Sequence, residues 1–385
     1  MSTDSHTHNR ILDNLRRRWL AVATLFVLAI VPGFGLVLGT TSPATAFRWA
    51  LLVSATIACE LWILWHGLPD NHRPGEATLF PTLGAANGIT LARGLAFAFL
   101  AGFIVVPDPT GWLLWLPALI YTLAAALDFV DGLVARLGDR ATVLGETLDI
   151  EFDSLGFLIA ISVAIWYGQL PLWYLLAGLY RYLFLAGIGW RRRRGYPVHD
   201  LTPSSHRRIV AALQVSFVAV VLWPIIDPAT SRFAAIFFAI PLTLSFGRDW
   251  LVVSGRINPD SSGYKEAMKL AATTVNRWLA PLARLVAVVT AASLLYSMTA
   301  TQPFFAGLGL LALLMLALGV LGRLASLFLL IPTVLSFSNT GLTWQNGLLL
   351  AALITILHIG TGAYSLLTAP EDYLLTKPAG SREQD

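Results

Sequence analysis

Residues 128–153 read DFVDGLVARLGDRATVLGETLDIEFD, and this stretch decides the fold and chemistry that we predict for the chain. Four of its aspartates stand in two pairs: Asp128 and Asp131 are three residues apart, and Asp149 and Asp153 are four apart. Spacings of three and four residues place side chains on one face of an α-helix. The stretch therefore predicts two neighbouring antiparallel helices whose acidic faces converge near a short connecting loop.

Converging carboxylates need counter-ions, because like charges in a low-dielectric surrounding repel one another and take up protons. Oxygen ligands select hard divalent ions such as Mg²⁺ or Mn²⁺, and no nearby His or Cys favours zinc. Such ions suit a substrate rich in phosphate, since they stabilise negative charge on phosphate oxygens. One of the carboxylates can then act as a general base.

The composition predicts a membrane protein. Of the 385 residues, 56% are hydrophobic and 12% are charged, whereas soluble domains carry about 25% charged residues. The single cysteine, Cys59, excludes a disulfide framework and a cysteine metal site. The net charge of +4 resides in short clusters between apolar runs. This distribution is typical of cytoplasmic loops, so we do not predict nucleic-acid binding.

Twelve apolar segments are long enough to be membrane-spanning helices, which need about 20 residues. Their approximate bounds are 19–40, 48–66, 89–106, 112–129, 152–167, 171–190, 209–225, 231–246, 279–299, 303–321, 324–337 and 345–367.

Arginines concentrate in alternate loops, on the side expected to face the cytoplasm. They include residues 16–18, Arg136 and Arg140, residues 191–194, and Arg248 with Arg256. We therefore predict a multi-pass membrane protein with both termini and the acidic site on the cytoplasmic side. The alternative for the N-terminus is a cleaved signal peptide, but its apolar stretch exceeds the 7 to 15 residues typical of one.

The pattern of apolar and polar stretches predicts three segments. Residues 1–79 form an N-terminal extension with two helices, residues 80–256 hold six helices around the acidic motif, and residues 257–385 form a C-terminal membrane domain of about four helices. The polar stretch 255–269 is predicted to be a linker.

The spacing D-x2-D-G-x2-A-R-x8-G-x3-D-x3-D resembles the motif of the CDP-alcohol phosphotransferase (CDP-alcohol phosphatidyltransferase) family. The resemblance implies an all-α six-helix bundle formed by helices three to eight, with two Mg²⁺ or Mn²⁺ ions. It also implies that Asp128, Asp131, Asp149 and Asp153 ligate the metal and that Asp153 is the catalytic base. The residues that would border the CDP moiety are Gly132, Ala135, Arg136 and Gly145.

A second, weaker resemblance lies in residues 81–93, which read PTLGAANGITLAR. Asn87, Thr90 and Arg93 stand at helical spacing there, and the resemblance implies that they lie near the nucleotide. The alternative is a helix cap followed by an arginine that faces the cytoplasm.

Basic residues near the ends of the sixth and seventh helices are candidates for binding an anionic acceptor. Arg181, Arg207 and Arg208 stand at or inside helix ends. The alternative is contact with lipid headgroups.

We therefore predict transfer of a phosphatidyl group from a CDP-linked donor to an acceptor alcohol, with release of CMP. The favoured donor is CDP-diacylglycerol, and CDP-choline or CDP-ethanolamine with a lipid acceptor is an alternative. A membrane transporter and an inactive scaffold are alternatives of other classes. Family resemblance further implies a homodimer, and the C-terminal block is faintly similar to DoxX-like membrane proteins.

Overall fold

The computed structural model describes residues 2–107, 109–137, 142–201 and 205–367. For residues 2–7, 129–137, 205 and 338–339 only the backbone is described. The described residues form thirteen α-helices: α1 (Ser2–Thr40), α2 (Pro43–Gly67), α3 (Gly84–Gly102), α4 (Leu116–Leu137), α5 (Val143–Trp166), α6 (Leu175–Arg193), α7 (Ser205–Val221), α8 (Pro228–Val253), α9 (Ser262–Thr274), α10 (Ala280–Met298), α11 (Pro303–Leu318), α12 (Gly322–Thr340) and α13 (Trp344–Ile359).

Seven helical stretches in the described part of the chain are long and apolar enough to cross a membrane, and three shorter apolar helices follow them. The predicted all-α, polytopic fold is confirmed, and each of the twelve predicted spans coincides with a helix. The largest differences are at α1, which begins at Ser2 rather than at 19, and at α5, which begins at Val143 rather than at 152. The Thr142 hydroxyl accepts a hydrogen bond from the Gly145 amide at 2.9 Å and so caps the earlier start.

The linker prediction for residues 255–269 was correct only for its first half. Helix α9 begins at Ser262, where the Ser261 hydroxyl accepts a hydrogen bond from the amide of Tyr264. The residues that follow Gly263 are mostly good helix formers, so a capped start is sufficient for a helix. A π-helical turn, Val275–Leu279, carries the chain from α9 into α10.

The chain divides into two compact units. Unit 1 comprises Met1–Gly168 and Val218–Pro224, and unit 2 comprises Gln169–Phe217 and Ile225–Asp385. Unit 1 therefore contains α1 to α5, and unit 2 contains α6, most of α7 and all later helices. The segment boundaries that we predicted after residues 79 and 256 stay predictions.

In unit 1, α3 packs closely against α2 and α5 because glycines stand at the contact points. A Cβ atom on Gly102 would lie 2.3 Å from the indole of Trp49, and a Cβ atom on Gly156 would lie 2.6 Å from the Phe97 ring. Each large ring thus occupies the volume that a side chain on the opposite helix would fill. This close approach brings the polar faces of α3 and α5 within contact distance.

In unit 2, α10 to α13 share a core of alanine and leucine side chains that includes Ala287, Leu295 and Leu353. Helix α13 also packs on α8, where the rings of Phe238 and His358 have centroids 5.3 Å apart. The C-terminal helices and α8 are therefore parts of one packed unit.

We predict that Gly94→Ala destabilises the protein, whereas Gly88→Ala in the same helix does not. A Cβ atom on Gly94 would lie 2.6 Å from the Phe152 ring, and one on Gly88 would meet nothing within 4 Å. Overpacking of this kind costs about 1–3 kcal/mol, whereas glycine to alanine in an open helical position is favourable by up to about 1 kcal/mol. Thermal unfolding of the two purified variants in detergent measures the difference. Equal melting temperatures would contradict this packing.

Candidate active site

A buried arginine in α3 lies at the centre of the acidic cluster. Arg93 is 2% exposed, and its Nη1 lies 2.9 Å from Oδ1 of Asp128 and 2.9 Å from Oδ1 of Asp149. Its Nη2 contacts Oδ1 of Asp153. One guanidinium thus joins carboxylates from α4 and α5 to α3.

The arrangement follows from helix geometry. Asp149 and Asp153 are one turn apart in α5, so both face α3, and Asp128 stands about two and a half turns before the end of α4. The three carboxyl groups are 41–47% exposed, whereas the guanidinium beneath them is almost completely buried. Its positive charge offsets the repulsion among the carboxylates, which is strongest on their buried side.

The cluster fits a hard divalent cation. Asp128, Asp149 and Asp153 each offer a carboxylate oxygen, and these oxygens lie within 4.8 Å of one another. Carboxylate oxygens that remain partly open to solvent are the ligands that Mg²⁺ and Mn²⁺ prefer. The structure thus brings together three of the four predicted metal ligands. Asp131 lies in α4, but its side chain is outside the described residues.

The predicted nucleotide-binding residues of α3 and α5 lie next to one another. Asn87 is buried, and its Nδ2 donates to Oγ1 of Thr142 at 3.5 Å. A Cβ atom on Gly145 would lie 2.5 Å from Oδ1 of Asn87, so only glycine fits at this position of the α5 start. Thr90 is also buried, one turn before Arg93.

The alternative interpretation of residues 81–93 as a helix cap was wrong, and the cytoplasmic position of Arg93 stays a prediction. Helix α3 begins at Gly84 without a side-chain cap, so Asn87 stands inside the helix. Arg93 is buried against carboxylates rather than exposed beyond the helix end. The sequence predicted a position for Arg93 near the nucleotide, with Asn87 and Thr90, but did not predict its ion pairs with the three aspartates.

The other predicted residues are not joined to this site by the described structure. Gly132, Ala135 and Arg136 belong to α4, and their side chains are outside the described residues. Arg181, Arg207 and Arg208 belong to unit 2. Arg207 donates from Nη1 to Oδ2 of Asp249 at 3.1 Å. The roles predicted for these six residues, in CDP binding and acceptor binding, stay predictions.

Residues 83–247 match the family model described as CDP-alcohol phosphatidyltransferase. This segment is a CDP-alcohol phosphatidyltransferase domain. It starts one residue before α3, ends within α8 and contains the whole motif between Asp128 and Asp153. The family resemblance found in the sequence is therefore confirmed for this segment. The similarity of the C-terminal block to DoxX-like proteins stays a prediction.

Part of this chain is similar to a curated protein named cardiolipin synthase (CMP-forming) from Streptomyces coelicolor. The two chains are 36% identical over 92 residues, which is 24% of this chain and 41% of the relative. The matched region thus spans less than half of the relative's length. No solved structure matches the chain.

We predict that Arg93→Gln destabilises the protein and that Mg²⁺ restores more stability to the variant than to the wild type. Removal of the guanidinium leaves three carboxylates facing one another, and a divalent cation can supply the missing positive charge. Because these carboxylates are partly solvent-screened, we expect a loss of about 1–3 kcal/mol rather than the full value for a buried pair.

Thermal unfolding with a chelator and with Mg²⁺ measures this effect. Arg16→Gln is the control, since Arg16 forms an exposed pair with Asp13 at 3.2 Å. If Arg93→Gln melts like Arg16→Gln under both conditions, Arg93 does not hold the acidic cluster together.

Proposed function

We propose that this chain transfers a phosphatidyl group from CDP-diacylglycerol to an acceptor alcohol and releases CMP. The observation that carries the proposal is the convergence of Asp128, Asp149 and Asp153 on Arg93 inside a CDP-alcohol phosphatidyltransferase domain. Helices α3 and α4 are among those long and apolar enough to cross a membrane. A site on such helices is accessible to a donor whose acyl chains lie in the bilayer.

In the reaction, the acceptor hydroxyl attacks the phosphorus that carries the diacylglycerol ester. The new phosphorus–oxygen bond forms as the bond to the CMP oxygen breaks, so CMP leaves with the electron pair. Asp153, one turn after Asp149 on the acidic face of α5, accepts the proton of the hydroxyl. Asp128 and Asp149 would hold a divalent cation, which would supply positive charge to the pyrophosphate.

Arg93 fixes the three carboxylates relative to one another before substrate binds. A preorganised site avoids the cost of reorienting charged groups during the reaction. Asn87 of α3 and Gly145 in the first turn of α5 lie side by side and would border the CDP moiety, since the missing side chain of glycine gives the nucleotide room. Two Mg²⁺ or Mn²⁺ ions bound by the aspartates would neutralise the charge of the pyrophosphate and of the leaving CMP.

Five alcohols are candidates for the acceptor. The name of the relative from Streptomyces coelicolor refers to cardiolipin formation with release of CMP. Phosphatidylglycerol is therefore one acceptor to test, since addition of a phosphatidyl group to it gives cardiolipin. Glycerol 3-phosphate, inositol phosphate, inositol and serine are the others. We also propose that the active site and both termini lie on the cytoplasmic side of the membrane and that the protein is a homodimer.

We predict that purified protein releases CMP from CDP-diacylglycerol only with an acceptor present, and that Asp153→Asn reduces this release by about 10²-fold or more, the range expected for loss of a general base. Chromatographic detection of CMP, with each acceptor in turn, measures the rate and names the acceptor. The control is Asp260→Asn, because Asp260 is an exposed aspartate paired with Lys265 at 3.7 Å.

Two other results would change the proposal. Release from CDP-choline or CDP-ethanolamine with diacylglycerol, but not from CDP-diacylglycerol, would reverse the donor and acceptor assignment. No CMP from any of these pairs, with the protein folded, would overturn the enzyme proposal in favour of a transporter or a scaffold.

We also predict that chelation of divalent cations abolishes CMP release and that Mg²⁺ or Mn²⁺ restores it. Since the described ligands are all carboxylates, Zn²⁺ should restore less activity than either ion. Full activity after exhaustive chelation would contradict the assignment of the acidic cluster as a metal site.

A further inference from the structure

The segment 360–367 of unit 2 packs over one end of the helices α10 to α13. Helices α10 and α12 begin at this end, and α11 and α13 end there. The amide of Leu366 donates to the backbone oxygen of Leu318 at 3.1 Å, and the amide of Leu367 donates to that of Gly319 at 3.3 Å. Backbone hydrogen bonds thus hold the segment against the junction between α11 and α12.

A proline allows the same segment to bond to the π-helical turn at 275–279. The hydrogen bonds of a π-helix join residues i and i+5, and Pro281, five residues after Asn276, has no amide hydrogen. The backbone oxygen of Asn276 accepts instead from the amide of Ala363 at 2.8 Å. The segment is therefore held at two places, by this turn and by the end of α11.

The polarity of the neighbouring helices places this end of the bundle at a membrane surface. Helix α9 carries Lys265, Glu266 and Lys269 and has no buried residue, whereas Arg284 is the only charged residue of α10. The change from polar to apolar sequence occurs at the π-helical turn between them. Since segment 360–367 packs on that turn, it lies at the level where lipid headgroups meet the acyl chains.

Arg284 reaches this segment from the second turn of α10. Its Nη1 donates to the hydroxyl of Ser365 at 2.9 Å, and its Nη2 donates to the backbone oxygen of Tyr364 at 3.1 Å. A Cβ atom on Gly319 would lie 2.6 Å from Nη1, so the glycine leaves room for the guanidinium. The segment thus fixes the orientation of the Arg284 side chain.

Two strained residues lie in the same region. Among the described residues, the non-glycine residues with a positive φ are Leu321, at 47°, and Tyr364, at 63°. Side chains other than glycine rarely adopt this left-handed conformation. Strain of this kind persists where the surrounding contacts impose it, and it is common at ligand sites.

The charge of Arg284 is not balanced by a carboxylate within the described part of the chain. The Ser365 hydroxyl and the Tyr364 carbonyl are both neutral, and they use two of the five N–H donors of the guanidinium. A half-buried cation at this level is costly unless an anion neutralises it. The remaining donors match the oxygens of a phosphate group.

The surface around Arg284 is apolar. Trp278, Leu282 and Leu285 are exposed along the start of α10, and Tyr364 is exposed in the segment. Trp and Tyr are enriched at the level of lipid headgroups, and acyl chains gain free energy by covering exposed leucines. A soluble phosphate ester has no apolar part to place on these side chains, so the surface favours a lipid.

We propose that Arg284 and the segment 360–367 bind the phosphate group of an anionic membrane lipid. The phosphate accepts from the guanidinium donors that Ser365 and Tyr364 leave unused, and the acyl chains lie along Leu282 and Leu285. Arg284 is outside the segment that matches the CDP-alcohol phosphatidyltransferase model. The C-terminal helices would thus bind a lipid independently of the transferase activity proposed for the chain.

Photochemical labelling of the full chain in nonionic detergent tests this site. The probe is phosphatidic acid with a diazirine in one acyl chain close to the glycerol, used below saturation so that the yield of adduct follows the affinity. Mass spectrometry of peptides measures the yield at residues 278–285 and 360–367. A phosphatidylcholine probe with the same acyl chains is the zwitterionic comparison.

The variants separate the charge of Arg284 from its contacts with the segment. Arg284→Gln removes the charge, Arg284→Lys keeps it, and Ser365→Ala removes one hydrogen bond to the guanidinium without changing the charge. The control is Arg256→Gln, since Arg256 is an exposed arginine elsewhere in unit 2.

We expect the phosphatidic acid probe to label these peptides about tenfold more than the phosphatidylcholine probe, and Arg284→Gln to lower the yield about tenfold, as expected for one charge-assisted contact. Arg284→Lys and Ser365→Ala should stay within about threefold of the wild type, because both keep the positive charge. Arg256→Gln should label like the wild type.

Four results would overturn the proposal: equal labelling by the two probes, equal yields for Arg284→Gln and Arg256→Gln, equal losses in Arg284→Gln and either charge-retaining variant, or competition by inorganic phosphate as strong as that by unlabelled phosphatidic acid. The last result would identify a soluble anion. The probe comparison uses the wild type, so it decides the question even if a variant does not fold. None of these measurements depends on CMP release.

Discussion

The contact on which unit 1 depends is the one between the Arg93 guanidinium and the carboxylates of Asp128, Asp149 and Asp153. A buried charge is tolerated only where it is paired, because desolvation costs several kcal/mol per ion. Here the cation is buried and the anions are partly solvated. The buried side of the cluster is therefore neutralised by the protein, and the exposed side keeps carboxylate oxygens that a cation and a phosphate substrate can reach.

This constraint explains the close packing around α3. For one guanidinium to reach α4 and α5, the helix axes must approach closely, and Gly94 and Gly156 permit this by leaving space for aromatic rings. Thr142 starts α5 early enough for Asp149 to stand in its second turn. The glycines, the Thr142 cap and the acidic pair are separated in sequence, but together they allow Arg93 to contact the carboxylates of α4 and α5.

The sequence predicted the helices that coincide with the twelve apolar segments, and three of the clustered aspartates, because both depend on local patterns. Apolar length defines a span, and spacings of three and four residues define a helix face. The pairing of Arg93 with Asp153 depends instead on a contact between residues 60 positions apart in the sequence. The local sequence around an arginine near a helix end is the same whether its side chain faces carboxylates or the cytoplasm. The start of α9 was missed for a related reason: polar composition at Asn258 and Asp260 indicated a loop, whereas the Ser261 cap allowed a helix.

Helix α2 precedes the segment that matches the family model, yet it lies beside the residues that carry the acidic cluster. Glu60 of α2 precedes the matched segment, yet its carboxyl group is 1% exposed and lies against α3: a Cβ atom on Gly94 would be 3.2 Å from its Oε2. Gly94 follows Arg93, and Phe152, which fills the same space, precedes Asp153. Ionisable groups inside membrane helices are costly and often mark function. The side chain of Glu60 thus lies beside the neighbours of Arg93 and Asp153, so α2 packs directly against the parts of α3 and α5 that carry the site.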